Sequence, residues 1–261
     1  MNMKANRIVA FVFCLMSLMW GCSLGGGGNN GGNNGGDNCA NYNPVINPAD
    51  FPSTPLVDNQ YFPLTPGTIF SYVNTITEGT TITTQDISVE VTNDTKLLLG
   101  VNCVVVHDVV YEGGTTNVVE DTFDWYAQDN DGNVWYFGED TTAFENGQPP
   151  SKEGSWEAGV NGAKPGIIMW ADPGAHINQP YRQECLSGVA EDNGEVLTLT
   201  ASATVPYNNN TTFTNCVQTK DYSDLEPGVV ENKFYAPGIG LVLTVTVQGG
   251  DEREELVDIT P

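Results

Sequence analysis

The sequence is short of positive charge: nine Lys and Arg stand against 33 Asp and Glu, a formal net charge of −24. Such a surface repels phosphate backbones and anionic headgroups, which excludes nucleic acid as a partner. Histidine is scarcer still, with two residues in 261. His107 shares a strand face with Cys103 and Val105 and reads as packing. His176 lies beside Asp172 in a Gly/Pro-rich stretch and is the better candidate for chemistry. The H-E-x-x-H motif of zinc hydrolases is missing, and GSWEAG at 154–159 lacks the G-x-S-x-G nucleophile turn. No two cysteines lie two to four residues apart, so the spacing of a zinc knuckle is absent as well. The acids make some pair of carboxylates at glycosidase spacing unavoidable, so their presence does not argue for one. The chain therefore reads as non-catalytic and without a cofactor, with Ca²⁺ the one ion its acidity invites.

What is present begins with a leader. Lys4 and Arg7 precede an apolar run from Ile8 to Trp20 and then the small Gly21, the three parts of an export signal over residues 1–21. At about 13 residues the run is shorter than the roughly 20 needed to span a bilayer as a helix. Met19, Trp20, Gly21 and Cys22 resemble the lipobox of bacterial lipoproteins. That resemblance implies that Cys22 is acylated and becomes the new N-terminus, so the membrane is a partner through the lipid. With Ser23 following, it also implies sorting to the outer membrane. Residues 22–38 then read as the lipidated cysteine and a Gly/Asn tether, which holds the folded part roughly 20–24 Å from the lipid on average.

Residues 39–261 read as a single β-rich domain. Apolar residues recur with a period of two: Ile87, Val89 and Val91 against Asp86, Ser88 and Glu90, and again at Leu241, Leu243, Val245 and Val247. Gly, Asn and Asp clusters at 78–80, 93–95, 112–114, 129–132 and 249–251 punctuate these runs as turns. The stretch 141–180 is rich in Gly and Pro and reads as a long excursion outside the sheet. The expected fold is all-β, an antiparallel meander of about nine to eleven strands forming a sandwich or a partly open barrel. Four cysteines, Cys39, Cys103, Cys185 and Cys216, lie in the domain itself, in a compartment that permits disulfides. Cys103 and Cys216 sit inside strand-like runs and are expected to pair, leaving Cys39 to bond Cys185.

The strongest local pattern, DWYAQDNDGNVWYFGE at 124–139, is an aromatic hairpin turning at Asp129, Asn130, Asp131 and Gly132. Its functional reading is a platform of Trp125, Trp135, Trp156 and Trp170 for a glycan or an apolar ligand. Asp129, Asp131 and Asn133 partly echo a calcium loop, with Glu139 and Asp140 as further ligands if the hairpin ends fold together. Glu184, Glu191, Asp192 and Glu195 read as a solvated acidic loop, and Glu226, Glu231 and Lys233 as surface charges around a turn. The hairpin, together with YRQECLSGVAEDNGEV at 181–196 and LEPGVVENKFYAPGIGLV at 225–242, resembles a family of exported bacterial proteins with no assigned activity. The resemblance implies one globular unit from about Tyr61 onward and no catalytic roles. The resulting expectation is an outer-membrane-anchored binding or envelope-associated lipoprotein. A calcium-stabilised interaction protein and a hydrolase acting on glycans are the alternatives, with the oligomeric state open.

Overall fold

The computed structural model describes residues 39–145 and 147–261; the leader, Cys22 and the tether lie outside the described residues. Two short strands, β1 (Val57–Asn59) and β2 (Phe62–Leu64), precede the first long hairpin, β3 (Ile69–Glu78) and β4 (Thr81–Leu98). β5 (Val101–Glu112), β6 (Val118–Gln128) and β7 (Val134–Ala143) continue the meander. The next strands are short: β8 (Trp156–Glu157), β9 (Lys164–Met169), β10 (Pro180–Arg182) and β11 (Glu184–Cys185). The chain ends with β12 (Asp192–Val205), β13 (Thr211–Ser223), β14 (Val230–Ala236), β15 (Gly240–Gln248) and β16 (Glu252–Thr260).

Fourteen of these strands form one antiparallel sheet, ordered β10, β12, β13, β14, β15, β16, β3, β4, β5, β6, β7, β9 and β11, with β8 also on β7. The two ends of that order are neighbours in the chain. β10 pairs with β12, and β11, just beyond Gln183, pairs with β9. The sheet therefore curls into a nearly closed barrel with one unsealed seam at 180–185. The all-β expectation holds, but the strands outnumber the nine to eleven expected because the 141–180 stretch is not only an excursion. Lys164 to Met169 is a wall strand, with Val134 opposite Met169 and Tyr136 opposite Gly166. Its glycine has a non-local cause: a β-carbon on Gly166 would run into the backbone of Arg182 and Gln183. Asn93 to Asp94 also differ from the turn expected there. They form a bulge inside β4, and the chain reverses instead at Leu99 and Gly100, both with positive φ.

Cys39 is bonded to Cys185, tying the start of the described chain to the seam. Cys103 and Cys216 do not pair; both are buried free thiols. Cys103 is on β5 and Cys216 on β13, six strands apart in the sheet order and so on opposite walls of the barrel, beyond the span of a disulfide.

The barrel is filled differently at its two ends. At one end the β1–β2 hairpin caps it: Phe62 packs 5.2 Å from the Tyr126 ring, Tyr126 stacks on Tyr136 at 4.9 Å, and Gly238 N–H donates to Gln60 O. The opposite end carries the turns at 79–80, 113–117, 224–229 and 249–251.

Candidate functional site: an acidic barrel interior

Partnered residues on antiparallel strands point to the same face, so the register lists what lines the barrel. Val91, Val106, Asp124 and Glu139 are successive partners across β4 to β7, and Val89, Asp108, Thr122 and Thr141 form the next row. On the far wall Thr219, Lys233, Thr244, Glu254 and Asn74 are linked in the same way. From the apolar cap toward the other end, the lining thus changes from Val and Tyr to carboxyl and hydroxyl groups. Asp108, Glu120, Asp124, Glu139, Glu184, Asp192, Asp221, Glu252 and Glu254 are all buried, and Lys233 is the one ammonium among the described residues of this lining.

Some of these carboxyls are held by side-chain donors. Tyr136 OH donates to Asp124 Oδ1 at 2.6 Å. Thr122 donates to the Thr141 hydroxyl at 3.1 Å, which donates in turn to Glu139 Oε2 at 2.7 Å. Asp221 accepts from Thr219 at 2.6 Å and from Gln183 Nε2 at 3.0 Å, and its Oδ2 lies 3.1 Å from Lys233 Nζ. Others have no donor. Both oxygens of Asp108 and both of Glu184 are buried without a hydrogen-bond partner, as is one oxygen each of Asp192, Glu252 and Glu254. The Trp156 indole N–H approaches Glu184 but falls short of hydrogen-bond geometry.

Taking a carboxylate out of water disfavours its charged form, and carboxylates beside it add to the effect. Burial is the larger cause throughout. It pushes Glu120 up to about 8, with Asp124 adding to it. Glu139 and Glu254 also rise to about 8, and Asp124 and Asp192 to about 7. Asp108 is held well above the usual carboxyl range by burial and by Asp124, Glu120 and Glu254. Glu184 is likewise raised by burial and by Asp192 and Glu139. Lys233 moves the opposite way from a lone buried amine: burial lowers its pKa, but Asp221 and Glu231 outweigh that and keep it charged. A permanently charged ammonium is not a nucleophile. The arrangement stores protons near neutrality and offers buried acceptors to any group bringing positive charge or N–H donors.

The residues singled out in the sequence are placed elsewhere. Asp129 caps its own turn, its carboxylate accepting from the backbone of Asp131 and Asn133, from Asn133 Nδ2 and from Trp135 Nε1 at 2.8 Å. Glu139 lies five residues along β7 from Val134, about 16 Å away at strand rise, and Asp140 pairs with Lys152 at 2.6 Å. These five do not converge. Among the described residues no group of three or more His, Cys, Asp or Glu is placed to hold a metal ion. The tryptophans are not a side-by-side exposed platform: Trp125 and Trp156 are buried, Trp135 is tied to Asp129, and Trp170 stacks on His176 at 3.8 Å. Asp172 accepts from Gly174 N–H, while His107 pairs with Asp121 at 2.9 Å. The acids that do assemble include Glu184 and Asp192, taken above for a solvated loop, and Glu231 with Lys233, taken for surface charge. The signal that marks them is a charged residue at every second strand position, as in Glu252 and Glu254 beside Leu256.

The fold and lining together define a class: a nearly closed all-β barrel, apolar at one end and acidic at the other. No family model matches the sequence, and no curated protein does. Among solved structures the chain is similar to one from Bacteroides fragilis described as an exported protein with a YmcC-like fold. Identity there is 13% over 78% of this chain and 100% of that one, with a TM-score of 0.45. It is also similar to one from Parabacteroides distasonis described as a lipoprotein, at 13% identity over 77% of this chain and 99% of that one, with a TM-score of 0.42.

Proposed function

We propose that this chain is a lipid-anchored, non-catalytic binding protein of the bacterial outer membrane, and that its acidic barrel interior receives the positively charged part of its ligand. The lipid anchor rests on Cys22 and its lipobox, and the reach on the tether to residue 38. The observation that carries the interior reading is the pair Asp108 and Glu184, fully enclosed and with no donor to any of their four oxygens. Buried acceptors left unpaired are costly, so a partner that supplies donors is bound with the full benefit of satisfying them. An organic cation suits the site better than Ca²⁺. The described acids are spread along several strands and do not form the convergent oxygen cage that a hard cation of six to eight ligands requires.

The test is thermal unfolding of the purified chain at pH 8 with polyamines, amine-bearing glycans or Ca²⁺. A ligand bound only by the native state raises the melting temperature with concentration. The expected result is a rise with an organic cation that is lost in an Asp108→Asn, Glu184→Gln double variant. A rise with Ca²⁺ alone, or one that survives the double variant, contradicts the interior reading.

A further inference from the structure

A cleft of about 280 Å³ opens where β8 joins β7, lined in part by Lys96, Trp125, Glu139, Trp156 and Glu157. The register assigns these side chains to two faces. Trp156 is the partner of Glu139 and shares its interior side, touching Tyr136 with ring centres 5.4 Å apart. Glu157 is opposite Gly138, Lys96 opposite Cys103, and Trp125 opposite Val105, which places all three on the outer side. The cleft thus passes from the outer face of the wall to a buried carboxyl.

Its outer part is already organised around an ammonium group. Lys96 Nζ lies 3.3 Å from the centre of the Trp125 ring and 2.7 Å from Glu157 Oε2. An aromatic face and a carboxylate converging on one cation is the chemistry that recognises alkylammonium groups. Lys96 and Glu157 keep 34% and 38% of their side-chain surface, so water screens the pair and little is lost when it opens. Deeper in, Trp156 is buried and its indole N–H has no acceptor.

We propose that this cleft binds an alkylammonium ligand, with Lys96 as a tethered stand-in that occupies the Trp125 face until the ligand's own ammonium replaces it. The ligand's charge then sits between Trp125 and Glu157, and its carbon chain runs inward along Trp156. The class is a primary or methylated amine on a short flexible chain, such as a lysine side chain or a small amine. The part that holds the charge, Trp125 and Glu157, is on the outer side of the wall; Glu139 forms only its inner end and neither Asp108 nor Glu184 lines it, so the site stands or falls separately from the interior reading.

The experiment titrates the full chain with n-butylammonium chloride, followed by tryptophan fluorescence and calorimetry, with 1-pentanol as the uncharged control. Lys96→Met keeps the chain volume and removes the competing ammonium. Apparent affinity scales with the fraction of sites left open, so this variant is expected to bind about tenfold more tightly than the unaltered chain. Glu157→Gln, added to Lys96→Met, is expected to lose binding, and 1-pentanol to bind neither form; unfolding curves establish that both variants fold. Equal affinity with and without Lys96, no binding to any form, or 1-pentanol binding as well as the amine overturns the proposal. Binding that survives Glu157→Gln but disappears in Asp108→Asn also overturns it, while leaving the interior reading standing. Binding that survives Asp108→Asn and disappears in Glu157→Gln supports the cleft whatever becomes of the interior.

Discussion

Lys233 shows how much one residue carries when its surroundings share a sign. It is buried against Asp221 at 3.1 Å, with Glu231 nearby, and no other ammonium among the described residues faces this lining. Removing one member of a buried ion pair leaves an uncompensated charge, so Lys233→Met is expected to destabilise the protein by about 3–5 kcal/mol in urea unfolding at pH 8. In the sequence Lys233 and Glu231 were legible only as surface charges around the turn at Pro227 and Gly228, and Asp221 was not singled out. A Glu and a Lys two positions apart on a strand read equally well as a wet outer face or a polar inner one, and nothing local distinguishes them. Asp129 illustrates the converse. Its spacing to Asp131 and Asn133 suggests a cation, yet the same spacing lets one carboxylate take the N–H groups of its own turn and of Trp135.

At the scale of the element, the strands with one apolar and one polar face were readable, and the aromatic hairpin at 124–139 forms as its pattern indicates. β9 was not. Pro165 and Gly166 break the local strand signal; Glu184 is the partner of Pro165, and the glycine is explained by what crosses it, since the Arg182–Gln183 backbone passes where a Gly166 side chain would be. Gly166→Val is therefore expected to open the seam, at a cost of about 1–3 kcal/mol or more in denaturant unfolding. Gly228→Ala, with open space around it and no positive φ, is the matched control and should stay within about 0.5 kcal/mol. β15 shows a subtler failure. Its apolar alternation assigns Leu241, Leu243, Val245 and Val247 to the buried side. Leu241 and Leu243 are buried as that indicates, but further along the strand the barrel interior receives Thr244 and Thr246, partners of Lys233 and Glu231, while Val247 is 52% exposed. The rule that the apolar face looks inward inverts wherever the interior itself is polar.

For the whole molecule, an all-β domain could be read from pattern and composition, whereas the candidate site could not. Its acids come from strands spread along the chain, from Asp108 to Glu254, and only barrel closure brings them together. The consequence is a stability that depends on pH in an unusual direction. Glu120, Glu139 and Glu254 titrate near 8 in the folded chain and Asp124 and Asp192 near 7, all above their unfolded values. Between about pH 4 and 8 the folded protein therefore holds protons that the unfolded chain has lost, and stability falls as pH rises. Each pH unit over which one such proton is held costs about 1.4 kcal/mol, lost progressively up to the folded pKa. Ordinary salt-bridged carboxylates, with lowered values, give the opposite slope.

The most direct test of an enclosed acidic interior is thermal unfolding of the ligand-free chain from pH 5 to pH 8, repeated with Asp108→Asn. The expected result is a melting temperature that drops steadily toward pH 8, with a shallower drop in the variant because one raised carboxyl no longer titrates. A melting temperature that stays flat or climbs over that range would show that these carboxyls are solvated, and would remove the acidic interior as the site.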